Sequence, residues 1–228
     1  MQTTSFEQAQ EWALDLFGDP NVAQFWIPPQ NFLQAVRNDA SISFTRSDEG
    51  LYGLALGVDP IIPAEWNRFS VYRSVPKLLT ESCTVKGQWA AYARSTEPGP
   101  STLDIRALSD DEFIKEFLET HAPESSVFPG NPEVREWVGI WSDEEVAGIA
   151  AITQWESGEC MVSSVATATA FRGQGYAKKL MAGVVGRAFT LGYSRLGLAV
   201  MSKNRPARAV YEAVGFKEMG DFRYFERD

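Results

Sequence analysis

The fold of this chain is decided by the stretch Val165-Ala166-Thr167-Ala168-Thr169-Ala170-Phe171-Arg172-Gly173-Gln174-Gly175-Tyr176-Ala177. The small and apolar residues at its start are typical of a buried strand, and a pair of glycines follows. From Ala177 the apolar residues recur at the spacing of one helix face, and Gly192 stands where such a helix would end. These apolar residues are Leu180, Met181, Val184, Val185 and Ala188. The stretch therefore predicts a buried strand, a glycine-rich turn and an amphipathic helix.

The two glycines of this turn, Gly173 and Gly175, stand at the predicted start of the helix. Backbone N–H groups at that position have no partner within the helix, and the helix dipole favours an anion. Glycine also lets the backbone approach the anion without a Cβ in the way. Because ordinary tight connections use the same spacing, the glycine pair alone fits a plain strand–helix turn equally well.

The charge distribution favours the anion-binding interpretation. The chain is acidic, with a formal net charge of -9, yet residues 163–210 contain no Asp or Glu. The basic residues in this window are Arg172, Lys178, Lys179, Arg187, Arg195, Lys203, Arg205 and Arg208. A basic window in an acidic protein indicates a local positive field suited to a polyanionic ligand, although a solvated basic helix face has the same composition.

Two segments of the chain resemble the motifs of a known family. Arg172-Gly173-Gln174-Gly175-Tyr176-Ala177 resembles the Q/R-x-x-G-x-G/A signature of the GNAT superfamily, the acyl-CoA-dependent N-acetyltransferases, and residues 165–167 resemble its cofactor strand. Residues 204–216 resemble a later motif of that family, an Asn that opens a helix which carries a Tyr and ends in Gly-Phe. The two motifs occur in the family order, with one strand predicted between them.

The resemblance implies an α+β fold with an α/β-like order of elements. This is the GNAT fold, a mixed and mostly antiparallel sheet flanked by helices. The hydrophobic pattern predicts strands at residues 103–108, 134–141, 146–153, 160–167, 195–201 and 222–225. Helices are predicted after a Ser109-x-x-Glu112 capping box, from residue 177 onward, and over residues 204–214.

The first hundred residues are set apart by a linker rich in Pro, Gly and Ser at residues 95–101. We therefore expect two domains, residues 1–97 and residues 102–228. In the first, the spacing predicts helices over residues 6–17, 32–37 and 63–79, a hairpin that includes residues 42–44 and 51–57, and strand or helix over residues 86–94. This domain is either a family-specific extension or a degenerate GNAT half, and no internal repeat is apparent.

Composition argues against several classes of protein. Cys83 and Cys160 are the only cysteines and His121 is the only histidine, so a disulfide framework, a zinc site and a His-based triad are not expected. No apolar run would cross a bilayer, and the N-terminus lacks a signal pattern. The acidic balance disfavours general nucleic-acid binding. We expect a cytoplasmic, metal-free monomer or homodimer without nucleic-acid or membrane partners.

The resemblance implies acetyl-CoA as co-substrate and assigns its parts to residues. The pyrophosphate would lie on the N–H groups of residues 173–178, and the pantetheine amides would pair with Val165 and Thr167 as another strand would. Asn204 would hydrogen-bond the cofactor, although a helix N-cap is an equal alternative. The expected cofactor-binding residues are Val165, Ala166, Thr167, Arg172, Gly173, Gln174, Gly175, Tyr176, Ala177, Lys178, Asn204 and Arg208.

Acyl transfer from a thioester needs a donor for the oxyanion, an acid for the thiolate and a base for the amine. A backbone N–H of residues 165–167 can polarise the carbonyl. Tyr211 resembles the family tyrosine that donates a proton to the sulfur, although its place in a helix stripe also fits a core aromatic. Glu159, Glu156 and Glu136 are the candidates for the base, and we select Glu159.

We therefore predict an N-acetyltransferase that moves an acetyl group from acetyl-CoA to a primary amine by direct attack. The acceptor is a small molecule or a protein amino terminus. The alternative is a non-catalytic acyl-CoA-binding or regulatory module, because no residue in the sequence stands out as the general base.

Overall fold

The computed structural model describes residues 1–18, 27–47, 50–75, 83–98 and 105–227, which form two compact units. Unit 1 contains the described parts of Met1–Ala91, Met201–Lys203 and Met219–Asp228. Unit 2 contains those of Tyr92–Val200 and Asn204–Glu218. The division into domains at residues 97–102 stays a prediction, and this grouping assigns the last residues of the chain to unit 1.

The described chain contains twelve strands and four α-helices. Its elements are β1 (Gln2–Thr3), α1 (Phe6–Phe17), β2 (Phe32–Arg37), β3 (Ser41–Ser47), β4 (Leu51–Gly57), β5 (Arg68–Tyr72), β6 (Thr84–Ser95), β7 (Ile105–Leu108), α2 (Asp111–His121), β8 (Val134–Ser142), β9 (Glu145–Gln154), β10 (Cys160–Thr167), α3 (Tyr176–Thr190), β11 (Arg195–Met201), α4 (Arg205–Ala213) and β12 (Lys217–Glu226). From β7 to β12 the predicted order of strands and helices is confirmed, and so is the α+β fold class.

The sheet of unit 2 has the strand order β11-β10-β9-β8-β7, with the end of β6 beside β11. Neighbouring strands from β7 to β10 run antiparallel, whereas β10 and β11 run parallel. Helix α3 covers this sheet with the predicted apolar face, and all five of its predicted apolar residues are buried. Helix α2 buries Ile114, Phe117 and Leu118 in a cluster with Trp137 and Ala166. The core of unit 2 therefore lies between the sheet and these helices.

The sheet of unit 1 has the strand order β1-β2-β3-β4-β5-β12, followed by the first part of β6. Strands β1 to β4 pair antiparallel with their neighbours, and β4 pairs parallel with β5. The predicted hairpin over β3 and β4 and the predicted helix α1 are confirmed, and residues 86–94 are strand. The order of pairings in β1–β5 is the same as that in β7–β11.

Three predictions about local structure are wrong. Phe32–Arg37 is strand β2 and not a helix, because it pairs with β1 and β3 on its two sides. Arg68–Tyr72, inside the predicted helix over residues 63–79, is strand β5 between β4 and β12. Residues 76–79 of that prediction lie outside the described residues. Pairing with strands distant in sequence overrides local propensity in both cases.

The N-cap of α2 is Asp110 and not Ser109, since the Asp110 side chain accepts from the Phe113 N–H.

Gly183 on α3 provides a test of the packing of unit 2. A Cβ at this position would lie 2.1 Å from Cγ1 of Ile105 on β7, so an alanine would push the helix away from the sheet. We expect Gly183→Ala to lower the free energy of unfolding by about 1–3 kcal/mol, despite the better helix propensity of alanine. Urea unfolding followed by circular dichroism measures this change. Adding Ile105→Ala should make the loss smaller than the sum of the two single variants, and strict additivity would contradict the proposed clash.

Candidate functional site

The glycine-rich turn between β10 and α3 faces open space. Gly173 and Gly175 have φ of +76° and +84°, a conformation that L side chains rarely adopt. A Cβ at either position would meet no atom within 4 Å, and residues 172–175 are exposed. The turn is therefore accessible to a ligand, and none of the described side chains fills the space in front of these two glycines.

The start of α3 presents backbone donors without acceptors. Gly175 is the N-cap and has no side chain to accept a hydrogen bond, and no acidic residue lies in the first turn. The N–H groups of residues 176–178 have no acceptor inside the helix. Those of residues 173–175 hydrogen-bond to none of the described residues. These donors and the helix dipole form a site for an anion.

Strand β10 leaves β11 after a single residue pair. Within these two described strands, only Met161 and Gly197 are paired. The Ala168 N–H donates to Ala147 on β9, and backbone groups alternate in direction along a strand. Val165 and Thr167 therefore direct their N–H and C=O groups away from β9, on the side where β11 no longer pairs. An extended ligand with amide groups can pair with this backbone.

A β-bulge lies at the same point of β10. Ser163 pairs with Ala151 and Ala166 pairs with Ile149, so β10 has one extra residue between the two pairs. Ser164, inside the bulge, has a φ of +50°. The sequence does not predict this bulge, because no glycine marks it.

Arg172 and His121 connect the turn to the end of α2. Arg172 donates from Nε to the Thr167 carbonyl at 3.2 Å and from Nη2 to the His121 carbonyl at 2.7 Å. The His121 ring accepts at Nδ1 from the Thr169 N–H at 3.4 Å, and Nδ1 lies 3.2 Å from the Thr169 hydroxyl. Arg172 was predicted to bind the cofactor, and its guanidinium here holds two carbonyls beside the turn.

Two residues of the later motif have protein partners. Asn204 accepts from the Ala207 N–H at 3.2 Å and caps α4. Arg208 donates from Nε to the Tyr92 hydroxyl at 2.9 Å and from Nη2 to the Glu218 carboxylate at 2.7 Å. The cofactor contacts of Asn204 and Arg208 stay predictions, and a phosphate would have to compete with Glu218 for Arg208.

Tyr211 on α4 is buried, with 7% of its surface exposed. Its ring contacts those of Tyr92 and Phe216, at centroid distances of 6.3 and 6.1 Å. Burial raises the pKa of the Tyr211 hydroxyl to about 12. In the part of the chain that the structure describes, no residue hydrogen-bonds to this hydroxyl. The phenol therefore stays protonated near neutral pH.

The carboxylates considered as bases lie in different surroundings. Glu136 accepts from both Nε and Nη2 of Arg187 on α3, at 2.5 and 2.6 Å. This bidentate pair gives Glu136 a structural role. Glu159 immediately precedes β10, at the end opposite the glycine-rich turn, and its carbonyl accepts from the Trp155 N–H. Ser164 lies five positions further along the chain, about 16 Å of extended strand away. The catalytic role of Glu159 stays a prediction.

Within the described ranges, no group of three or more His, Cys, Asp or Glu side chains is arranged to hold a metal ion. The helices of those ranges are all too short or too polar to span a bilayer.

Comparison with known proteins identifies relatives of this chain. Residues 102–216, about half of the chain, match the Acetyltransferase (GNAT) family. An uncharacterized N-acetyltransferase, YsnE of Bacillus subtilis, is 29% identical over 99 residues, which cover 42% of this chain and 65% of that protein. A [ribosomal protein bS18]-alanine N-acetyltransferase of Haemophilus ducreyi is 36% identical over 69 residues, which cover 30% of this chain and 48% of that protein. The chain thus matches less than two thirds of the length of either relative.

Solved structures share the fold over most of the chain. A GCN5-related N-acetyltransferase from Sphaerobacter thermophilus aligns with a TM-score of 0.56 at 14% identity, covering 97% of this chain and 89% of that one. An acetyltransferase of the GNAT family from Colwellia psychrerythraea aligns with a TM-score of 0.54 at 16% identity, covering 100% and 99%. At these identities the likeness establishes the fold alone.

The contact between His121 and Arg172 predicts an unusual histidine titration. Partial burial, and then the charge of Arg172, lower the pKa of His121 below its ordinary value of 6.5. Because His121 is the only histidine, a proton NMR titration follows it without assignment. We expect a pKa below 6.5, and Arg172→Gln should move it upward. Since the folded state then binds the proton less readily than the unfolded state, stability should fall as the pH drops from about 6.5 through the folded pKa. A pKa above 6.5 would contradict the arrangement.

Proposed function

Because the chain belongs to the Acetyltransferase (GNAT) family, we propose that it transfers an acetyl group from acetyl-CoA to a primary amine. The observation that carries this proposal is the continuous open backbone of unit 2, which runs from the unpaired edge of β10 to the exposed donors at the start of α3. A molecule with an extended amide arm and a pyrophosphate matches both parts.

The proposed position of the cofactor follows from these donors. The pyrophosphate accepts from the N–H groups of residues 173–178, and Lys178 adds positive charge at the same helix end. The pantetheine arm pairs with the Val165 carbonyl and the Thr167 N–H, because Arg172 already binds the Thr167 carbonyl and the Val165 N–H is left for the thioester. Arg172 then acts by shaping the turn. The 3′-phosphate binds to exposed cations such as Lys178 and Arg205.

The proposed chemistry uses few groups of the protein. A neutral amine attacks the thioester carbonyl, the oxyanion accepts a hydrogen bond from the Val165 N–H, and the C–S bond breaks. Tyr211 donates its proton to the departing thiolate. The proton of the amine leaves through water or a carboxylate, for which Glu159 stays the prediction. No metal is needed for this sequence of steps.

The proposed acceptor is a small-molecule amine or a peptide amino terminus. One relative is named for acetylating the alanine of a ribosomal protein, which is a precedent for the second class. We further propose that the protein acts in the cytoplasm as a monomer or homodimer.

We propose that unit 1 is a degenerate copy of the same fold without a cofactor site. Strands β1–β5 repeat the pairings of β7–β11. Here, however, β4 and β5 stay paired over four consecutive residues, from Tyr52↔Arg68 to Ala55↔Val71. The Trp66 ring comes within 2.1 Å of the position that a Cβ of Gly53 would occupy, so this ring packs directly against β4. We therefore expect one molecule of coenzyme A per chain.

Thiol release from acetyl-CoA tests the proposed function. The protein is incubated with acetyl-CoA and a panel of amines and amino-terminal peptides, and free thiol is measured with a chromogenic disulfide. Amine-dependent release with formation of the acetylated product supports the proposal. Binding of coenzyme A without release by any amine supports the non-catalytic module instead. Absence of any thermal shift with coenzyme A would reject both.

Tyr211→Phe should lower kcat by about ten- to a thousandfold, because the leaving thiolate loses its proton donor. Since the ring stays in place, the Kd of coenzyme A should change less than threefold. Steady-state kinetics and calorimetry measure the two effects. Tyr92→Phe, on the neighbouring ring, is the control and should keep most of the activity. An unchanged kcat in Tyr211→Phe would remove this residue from the mechanism.

Gln174→Glu should separate cofactor binding from stability. Residue 174 precedes the N-cap of α3, so a carboxylate there interacts favourably with the helix dipole but loses the 2.8 Å hydrogen bond that Gln174 Nε2 donates to the Ala170 carbonyl. Because these two effects oppose each other, the melting temperature should stay close to that of the natural protein. The same charge repels the pyrophosphate, and we expect the Kd of coenzyme A to increase about tenfold, which corresponds to about 1.4 kcal/mol. Gln174→Ala, which is neutral, should bind coenzyme A nearly as well as the natural protein. Equal affinity in both variants would place the pyrophosphate elsewhere.

A further inference from the structure

Ser164 has a backbone conformation that its local sequence does not favour. In the described chain, positive φ outside glycine is found at Asp59, Asp143 and Ser164, and only Ser164 lies within a strand. A left-handed conformation of a non-glycine residue costs about 1–3 kcal/mol and persists where surrounding contacts hold it. The bulge therefore depends on interactions that stabilise this residue.

The Ser164 hydroxyl supplies those interactions by bonding to both the N–H and the carbonyl of Val127. It donates to the Val127 carbonyl at 2.6 Å and accepts from the Val127 N–H at 3.2 Å. Val127 is 5% exposed and belongs to the apolar cluster that includes Ile114 and Phe117 on α2. The segment between α2 and β8 is thus anchored in the core through Val127. The hydrogen bonds between Val127 and Ser164 then stabilise the bulge.

The bulge determines the direction in which the next residues point. Up to Ser163 the strand follows one register with β9, and from Ala166 it follows another, shifted by one residue. A shift of one residue reverses the faces and edges of a strand. With the bulge in place, Ala166 is buried at 3% exposure while the Val165 N–H points away from β9. Loss of the bulge would remove that donor from the open edge or take Ala166 out of the core.

We propose that Ser164 is a positioning residue that fixes the Val165 N–H as the oxyanion donor, by tying the bulge to Val127. This inference rests on the proposed function, since the donor matters for acetyl transfer. Misplacing a reacting group by about 1 Å costs about a hundredfold in rate, and removing one oxyanion donor costs about 10²–10³. The Ser163 hydroxyl lies 3.4 Å from that of Thr153, and the hydrogen bonds to Val127 come from Ser164, so Ser163 offers a matched control.

The experiment compares Ser164→Ala, Ser164→Gly and Ser163→Ala in the full chain. Each variant is tested for kcat and KM of acetyl-CoA, and for hydrogen exchange of the peptide that covers residues 160–168. For Ser164→Ala we expect kcat to fall about ten- to a hundredfold, KM to stay within threefold, and exchange to become at least tenfold faster. Ser164→Gly relieves the strain of the positive φ yet lacks the hydroxyl, so it should lose kcat as well. Ser163→Ala should resemble the natural protein in all three measurements.

The outcomes separate this inference from the proposed function. An unchanged kcat in Ser164→Ala, or an equal loss in Ser163→Ala, overturns the positioning role. Full activity in Ser164→Gly would also overturn the positioning role, because the backbone would then align the donor without the hydrogen bonds to Val127. If the natural protein releases no thiol with any amine, the proposed function fails and the catalytic role of Ser164 fails with it. Hydrogen exchange then still decides whether the hydroxyl holds the bulge, and unchanged exchange in Ser164→Ala rejects that link too.

Discussion

The parting of β10 from β11 is the constraint on which the site depends. Two parallel strands that run side by side normally satisfy each other's backbone groups, and here they do so at one pair only. The bulge after Ser163 turns the next backbone groups toward the resulting gap, and the glycine-rich turn continues the row of free donors to α3. Most of the donors that a ligand would use are therefore main-chain groups, which explains why few side chains are needed to define the site.

The contrast between the two units supports this interpretation. Their strands pair in the same order, yet β4 and β5 of unit 1 remain paired over four residues, and Trp66 packs against β4 at Gly53. The order of strand pairing by itself thus does not leave a strand edge open. In unit 2, one extra residue in β10 redirects the backbone groups that follow it, and two glycines with positive φ lie in the exposed turn before α3.

The basic residues between positions 163 and 210 fall into two groups, according to whether they bind other groups of the protein or stay exposed. Arg187 holds Glu136, Arg208 holds Glu218 and contacts Tyr92, and Arg172 holds two backbone carbonyls. These three arginines stabilise the scaffold around the site. Lys178 remains exposed in the first turn of α3, where neither an acidic residue nor a capping side chain balances the helix dipole. The positive field at the turn therefore comes from the helix end and from exposed cations together.

The sequence alone determined the element order from β7 to β12, the buried face of α3, and the turn at Gly173 and Gly175, because periodicity and glycine are local signals. It misassigned β2 and β5, whose strand conformation comes from partners distant in the chain. Only the tertiary structure revealed the bulge at Ser164, the contact of Arg172 with His121, and the carboxylate partner of Arg208. Each of these depends on a hydrogen bond between residues brought together by folding, and no spacing along the chain encodes such a bond.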